Sequence, residues 1–122
     1  MSRPYGMNAY EKARMSKSIL AILEQHRGKR SAIKGADLAR ELKQRDDRLI
    51  RMVIRDLIAQ GVPVSSSVSE PMGFYLVVTP REAEEYIAVL EARIREDEAR
   101  LRDFKRAVEA ALGALTEQPR MI

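Results

Sequence analysis

The sequence predicts a mainly α-helical chain with one small β-hairpin, ending in a long helix. Three observations carry this. Apolar residues recur at helical spacing in three separate stretches before Gly61. Two short runs rich in β-branched, small and aromatic residues flank a Pro/Gly turn. After Pro80 an unbroken apolar 4-3 repeat runs on, with no proline or glycine until Gly113.

The elements follow in order. Residues 1–8, with Pro4 and Gly6, read as a loose tail. From Ala9 the spacing of Met15, Ile19, Ile22 and Leu23 predicts a helix that Gly28 stops near His26–Arg27. Arg27–Lys34 is basic and irregular, with a short strand expected at Ala32–Ile33. Gly35–Leu42 reads as a second helix with Leu38, Ala39 and Leu42 inward, and Lys43–Asp46 as a turn. Asp46 or Asp47 should cap a third helix, because a carboxylate there accepts the orphan amides of the first turn. That helix runs to Gln60, with Gly61 suited to the left-handed position beyond its end. Its inward set is Ile50, Val53, Ile54, Leu57 and Ile58. Val64–Val68 and Phe74–Thr79 read as the two strands, with Ser69–Gly73 between them. Thr79, Pro80 and Glu82 form a capping-box start for the last helix.

Composition bounds the chemistry. The 122 residues are one domain's worth of chain. There is no cysteine and one histidine, His26, so disulfides, thiolate metal sites, cysteine nucleophiles and histidine pairs are excluded. No apolar run is long enough to span a membrane, and the first residues lack the apolar core of a signal peptide. The chain therefore reads as cytoplasmic and not as an enzyme, with no cofactor, metal or small-molecule ligand implied. Charge is uneven: residues 1–61 hold 14 Lys and Arg against 7 Asp and Glu, and residues 62–122 hold 8 against 11. A basic first half suggests a nucleic-acid face.

Three helices followed by a two-stranded hairpin is the winged helix-turn-helix order. The stretch Ile33–Thr79 resembles the N-terminal winged-helix domain of biotin repressors and related bacterial and phage regulators. Ile33-Lys34-Gly35-Ala36-Asp37-Leu38-Ala39-Arg40-Glu41-Leu42 is similar to the first helix of that motif. Ile50, Ile54, Leu57 and Gly61 fall at the spacing of its recognition helix and following glycine. Val62-Pro63-Val64 and Gly73-Phe74-Tyr75-Leu76 are similar to its hairpin. The resemblance covers about 47 of the 122 residues, mostly core and turn positions, so it speaks to fold more than to function. Two features depart from it. The turn before Ile50 is one residue longer, and the wing, Ser65–Gly73, has no Lys or Arg and contains Glu70.

The third helix holds the binding chemistry. With its apolar set inward, Asp47, Arg48, Arg51, Met52 and Arg55 lie on or near the opposite face. Arginine reads guanine O6 and N7 bidentately and also pairs with phosphate. Arg27, Lys29, Arg30 and Lys34, with Lys43 and Arg45 in the turn, are candidates for phosphate contacts that set register without reading sequence. The opposing reading is a solvated face balanced by Asp46, Asp47 and Asp56. Ser65–Ser67 has no base placed with it and reads as plain hairpin. His26 reads as a helix-end partner or an exposed residue, and Tyr5 and Tyr10 as either stacking or packing residues.

In the last helix Ala83, Ile87, Leu90, Ile94, Asp97, Leu101, Phe104, Val108, Ala111 and Leu115 step alternately by four and three. So narrow a stripe predicts a coiled-coil partner, with Ile87, Leu90, Ile94, Leu101, Phe104 and Val108 as dimerisation residues. The expected organisation is a tail at 1–8, a winged helix-turn-helix domain at 9–79, a dimerisation helix at 80–116 and a tail at 117–122. The expected function is sequence-specific binding of double-stranded DNA by a homodimeric bacterial or phage transcriptional regulator. The alternative is a winged-helix adaptor in a replication, packaging or polymerase-modulating complex.

Overall fold

The structure is a computed structural model that describes residues 6–113. Tyr5, Leu115 and the 117–122 tail lie outside the described residues. The elements are α1 (Ala9–Leu23), α2 (Gly35–Glu41), α3 (Arg48–Ala59), β1 (Val64–Ser67), β2 (Gly73–Leu76) and α4 (Pro80–Leu112). A single 3-10 turn, Lys29–Ser31, sits between α1 and α2. The chain is mainly helical, with one antiparallel hairpin and a long last helix.

Asn8 starts α1 with a capping box. Its side chain accepts the Glu11 N–H at 2.7 Å, and the Glu11 carboxylate accepts the Asn8 N–H at 3.0 Å. The helix ends at Leu23, earlier than the expected His26. The Gln25 and His26 amides bond three residues back, to Ile22 and Leu23, which tightens the chain into a turn before Gly28 at φ +89°. In place of the expected strand at Ala32–Ile33, Ile33 alone forms an isolated bridge, just after the 3-10 turn. Ile33 and Phe74 exchange both backbone hydrogen bonds, at 2.9 and 2.8 Å. Further along β2, the Gly28 amide donates to the Leu76 carbonyl and the Leu76 amide to that of His26. Thus β2 is paired with β1 on one side and with both ends of this loop on the other.

Gly73 is required at that crossing. Its φ is +129°, and a Cβ there would stand 2.0 Å from the Ile33 carbonyl oxygen. The hairpin register pairs Val64 with Leu76, Ser65 with Tyr75, Ser66 with Phe74 and Ser67 with Gly73. Val64, Phe74 and Leu76 join the core with Met7, Ile19, Leu23, Ile33, Leu38, Ala39, Ile50, Val53, Ile54 and Leu57. Full burial of each large aliphatic side chain contributes about 1.5–3 kcal/mol. Ser65 and Tyr75 are also buried, and the Ser65 hydroxyl donates to the Tyr75 oxygen at 3.1 Å.

Both strands are shorter than the sequence predicts. Val68 lies beyond β1, and Val77–Thr79 lie beyond β2. The Val77 amide turns to the Pro63 carbonyl and the Val78 amide to the Glu82 carboxylate, so β2 feeds directly into the start of α4. α3 closes as expected at Gly61, φ +104°. The Gly61 and Val62 amides bond to Ile58 and Leu57, the double closure of a Schellman end.

Thr79 accepts the Glu82 amide at 3.1 Å, one half of the expected box. The other half is redirected. The Glu82 carboxylate accepts the amides of Val78 and Lys29, each at 2.9 Å, in place of the Thr79 amide. The chain divides into two compact units between Tyr86 and Ile87. No described helix is long and apolar enough to cross a membrane.

Candidate nucleic-acid interface

α3 supplies the candidate surface. Its buried residues Ile50, Val53, Ile54 and Leu57 define one face. At about 100° per residue, Arg48, Met52 and Arg55 point away from that face, whereas Arg51 and Ile58 fall about a quarter-turn from its middle. All five are exposed. Ile58, expected inward, is 44% exposed because its angle places it on the flank, beyond the reach of the core.

The helix start distributes its two aspartates. Asp46 caps: its Oδ1 accepts the Arg48 amide at 3.0 Å. Asp47 occupies the N-cap position but makes no capping bond. Its carboxylate instead accepts from Arg51 Nε at 2.8 Å. Arg51 also stands over the Phe74 ring, 5.1 Å from the centroid. Arg48 lies 3.7 Å from Asp46 with a side chain 82% exposed, a loose surface pair of small energetic weight. The three arginines therefore differ: Arg51 is held, Arg48 weakly paired, and Arg55 in no ion pair among the described residues.

The surrounding cations divide in the same way. Lys43 closes the α2–α3 turn in the left-handed region, φ +57°. Lys43, Arg45, Lys34 and Arg30 are all exposed, and no described carboxylate pairs with them. Lys29 is engaged elsewhere. Its ammonium lies 3.5 Å from Glu85, and its amide is bonded to Glu82. The Val78 and Lys29 amides hold the Glu82 carboxyl below its ordinary value, with the Lys29 charge adding to this and partial burial opposing it. Sequence reading passed over Arg40, exposed and paired to Asp37 at 2.8 Å. It lines a shallow groove between α2 and the turn, with Ala36, Ala39, Gln44, Arg45, Asp46 and Asp47. Also missed were the roles of Gly35 and Phe74 around Arg51, whereas the Asp47–Arg51 pair belongs to the opposing reading, in which Asp46, Asp47 and Asp56 balance the arginines. The i, i+4 spacing of Asp47 and Arg51 was the signal for that pair.

The remaining candidates take structural places. His26 Nδ1 donates to the Ser31 carbonyl at 2.7 Å and so braces the 3-10 turn; α1 has already ended at Leu23. The Ser67 hydroxyl donates to the Ser69 carbonyl at 2.8 Å, inside the hairpin loop. Tyr10 is exposed, with Arg14 5.9 Å from its ring centroid. Among the described residues no group of three His, Cys, Asp or Glu side chains is placed to hold a metal.

On α4 the seam residues Ile87, Leu90, Ile94, Leu101 and Phe104 are exposed, from 38% at Leu90 to 66% at Phe104; Val108 is half-buried. Asp97, the polar member of the repeat, lies 3.5 Å from Arg100 on its own helix. Comparison of the chain with family models, curated proteins and solved structures gave no match.

Proposed function

We propose that the chain is a winged helix-turn-helix protein that binds double-stranded DNA through α3 and pairs with a second copy through α4. In this reading α2, the turn and α3 are the helix-turn-helix, and β1 and β2 are the wing. The protein acts as a small bacterial or phage transcriptional regulator and performs no catalysis. One observation carries the proposal. α3 is anchored by a buried apolar face and presents Arg48, Met52 and Arg55 outward, with Lys34, Lys43 and Arg45, which pair with no described carboxylate, on the preceding helix start and turn. A helix of this form enters the major groove, and the cations beside it neutralise phosphates. A symmetric dimer would read two-fold symmetric half-sites.

Titration of the full chain with random-sequence duplex DNA at two salt concentrations tests this. Affinity should fall with a log–log slope of about −0.9 per phosphate neutralised. A specific observation favours a second reading. The hairpin loop has no cation, and it exposes Val68 at 80% and Met72 at 40% beside Glu70, a surface better suited to a protein than to phosphate. Absence of any duplex binding at about 50 mM salt would reject the first reading and leave the adaptor.

A further inference from the structure

α3 carries arginines in two mechanical states. Arg48 sits on a long, 82% exposed side chain with one loose partner. Arg51 is held from two directions. Asp47 Oδ2 accepts from its Nε at 2.8 Å, and its guanidinium stands 5.1 Å from the centroid of Phe74. One support is itself fixed and the other fills a space that a glycine leaves. Phe74 is buried, pairs with Ser66 in the hairpin and exchanges backbone bonds with Ile33. Asp47 occupies the place that a side chain at the start of α2 would take: a Cβ on Gly35 would fall 2.2 Å from its Oδ2. Gly35 thus leaves the space that the carboxylate fills. Gly35, Asp47, Arg51 and Phe74 tie α2, α3 and the hairpin together at one guanidinium.

What this support leaves open is specific. Among the described residues only Nε has a partner and neither terminal nitrogen of Arg51 does, and its side chain is 60% exposed. We infer that Arg51 is a preset bidentate fork for the O6 and N7 edge of a guanine in duplex DNA, and that Asp47 is its positioning residue. The inference rests on the DNA-binding reading. A fork held in one orientation selects a planar pair of acceptors at one place, as base readout requires. A contact that only neutralises phosphate needs no such support, and Arg48 and Arg55 fit that role. Discrimination then resides in Arg51, supported by Asp47, and not in Arg48.

The experiment starts from 20-bp duplexes that the full chain selects out of a random pool. Each guanine of the selected duplex is replaced in turn by 7-deazaguanine, which lacks the N7 acceptor. One guanine should lose about tenfold in wild-type affinity, a loss of the size expected for one bidentate contact. The same replacement should have no further effect on Arg51→Lys, which keeps the charge and lacks the fork. It should have a reduced effect on Asp47→Asn. Asp47→Asn should also bind scrambled duplex as well as the wild type or better, because it removes a negative charge near phosphate. A residue needed only for folding would weaken both duplexes together. The inference is overturned if no guanine shows this coupling to Arg51, or if Arg48→Ala abolishes the effect while Arg51→Lys does not. Duplex binding that persists without such a guanine would leave the DNA-binding reading standing and remove this inference alone.

Discussion

α3 and α4 are both amphipathic, and they dispose of their apolar residues in opposite ways. In α3, Ile50, Val53, Ile54 and Leu57 are all buried, the first two completely. In α4 no described residue is buried, and Leu101 and Phe104 remain more than half exposed. The difference lies in the width of the stripe. Spacing of i, i+3, i+4 and i+7 makes a face broad enough to pack on several elements of a core. Spacing of two in seven makes a seam that only another helix matches. Apolar content alone does not say which helices complete a domain; the angular spread of the apolar positions does.

The largest expected effect comes from removing the same kind of side chain from each helix. Ile50→Ala should destabilise the unit containing α1–α3 by about 2–5 kcal/mol in a thermal or denaturant melt. Leu101→Ala, on the exposed seam, should leave that melt within about 0.5 kcal/mol of wild type. Equal losses would dissolve the contrast between the helices.

A smaller effect, on assembly, sharpens it. If the α4 seam pairs with a second copy as proposed, Leu101→Asp should convert a dimer to a monomer in sedimentation at tens of micromolar. It should leave the melting of the first unit unchanged. Duplex binding should weaken as well, because two linked half-site contacts become one. A wild-type chain that sediments as a monomer would reject the seam as a self-association surface.

The smallest effect concerns the start of α4. The amides of Val78 and Lys29 hold the Glu82 carboxyl below its ordinary 4.5. A carboxylate lowered in the folded state contributes stability above its unfolded value and loses it as pH falls through the folded one. Glu82→Gln should therefore cost about 1 kcal/mol at neutral pH, since the charged acceptor is lost and the site is partly open to solvent. The gap between variant and wild type should close below pH 4.5. A gap that is constant with pH would mean that size, not charge, holds the corner.

Much of the local structure was legible because it rests on neighbours in sequence. The long helix from Pro80, the glycine end of α3 and the inward set Ile50, Val53, Ile54 and Leu57 follow from spacing and terminal residues that act within one or two turns. Ile58 was misplaced because a five-residue set spans more of the helix than this core covers. The basic character of the first half is a matter of composition, and the outward positions of Arg48, Met52 and Arg55 follow from helical spacing.

Only the tertiary structure decided which groups meet across long separations. The Glu82 carboxylate leaves its own helix start for the Lys29 amide, 53 residues away in sequence. Ile33 belongs to no strand of its own, yet pairs with Phe74 and makes Gly73 obligatory. Arg51 is set apart from Arg48 by Phe74 of the hairpin, which no helical spacing connects to it; its Asp47 partner, at i, i+4, is local. The physical reason is common to all three. Periodicity reports which way a side chain faces, whereas the partner it finds depends on which backbone the rest of the chain brings alongside.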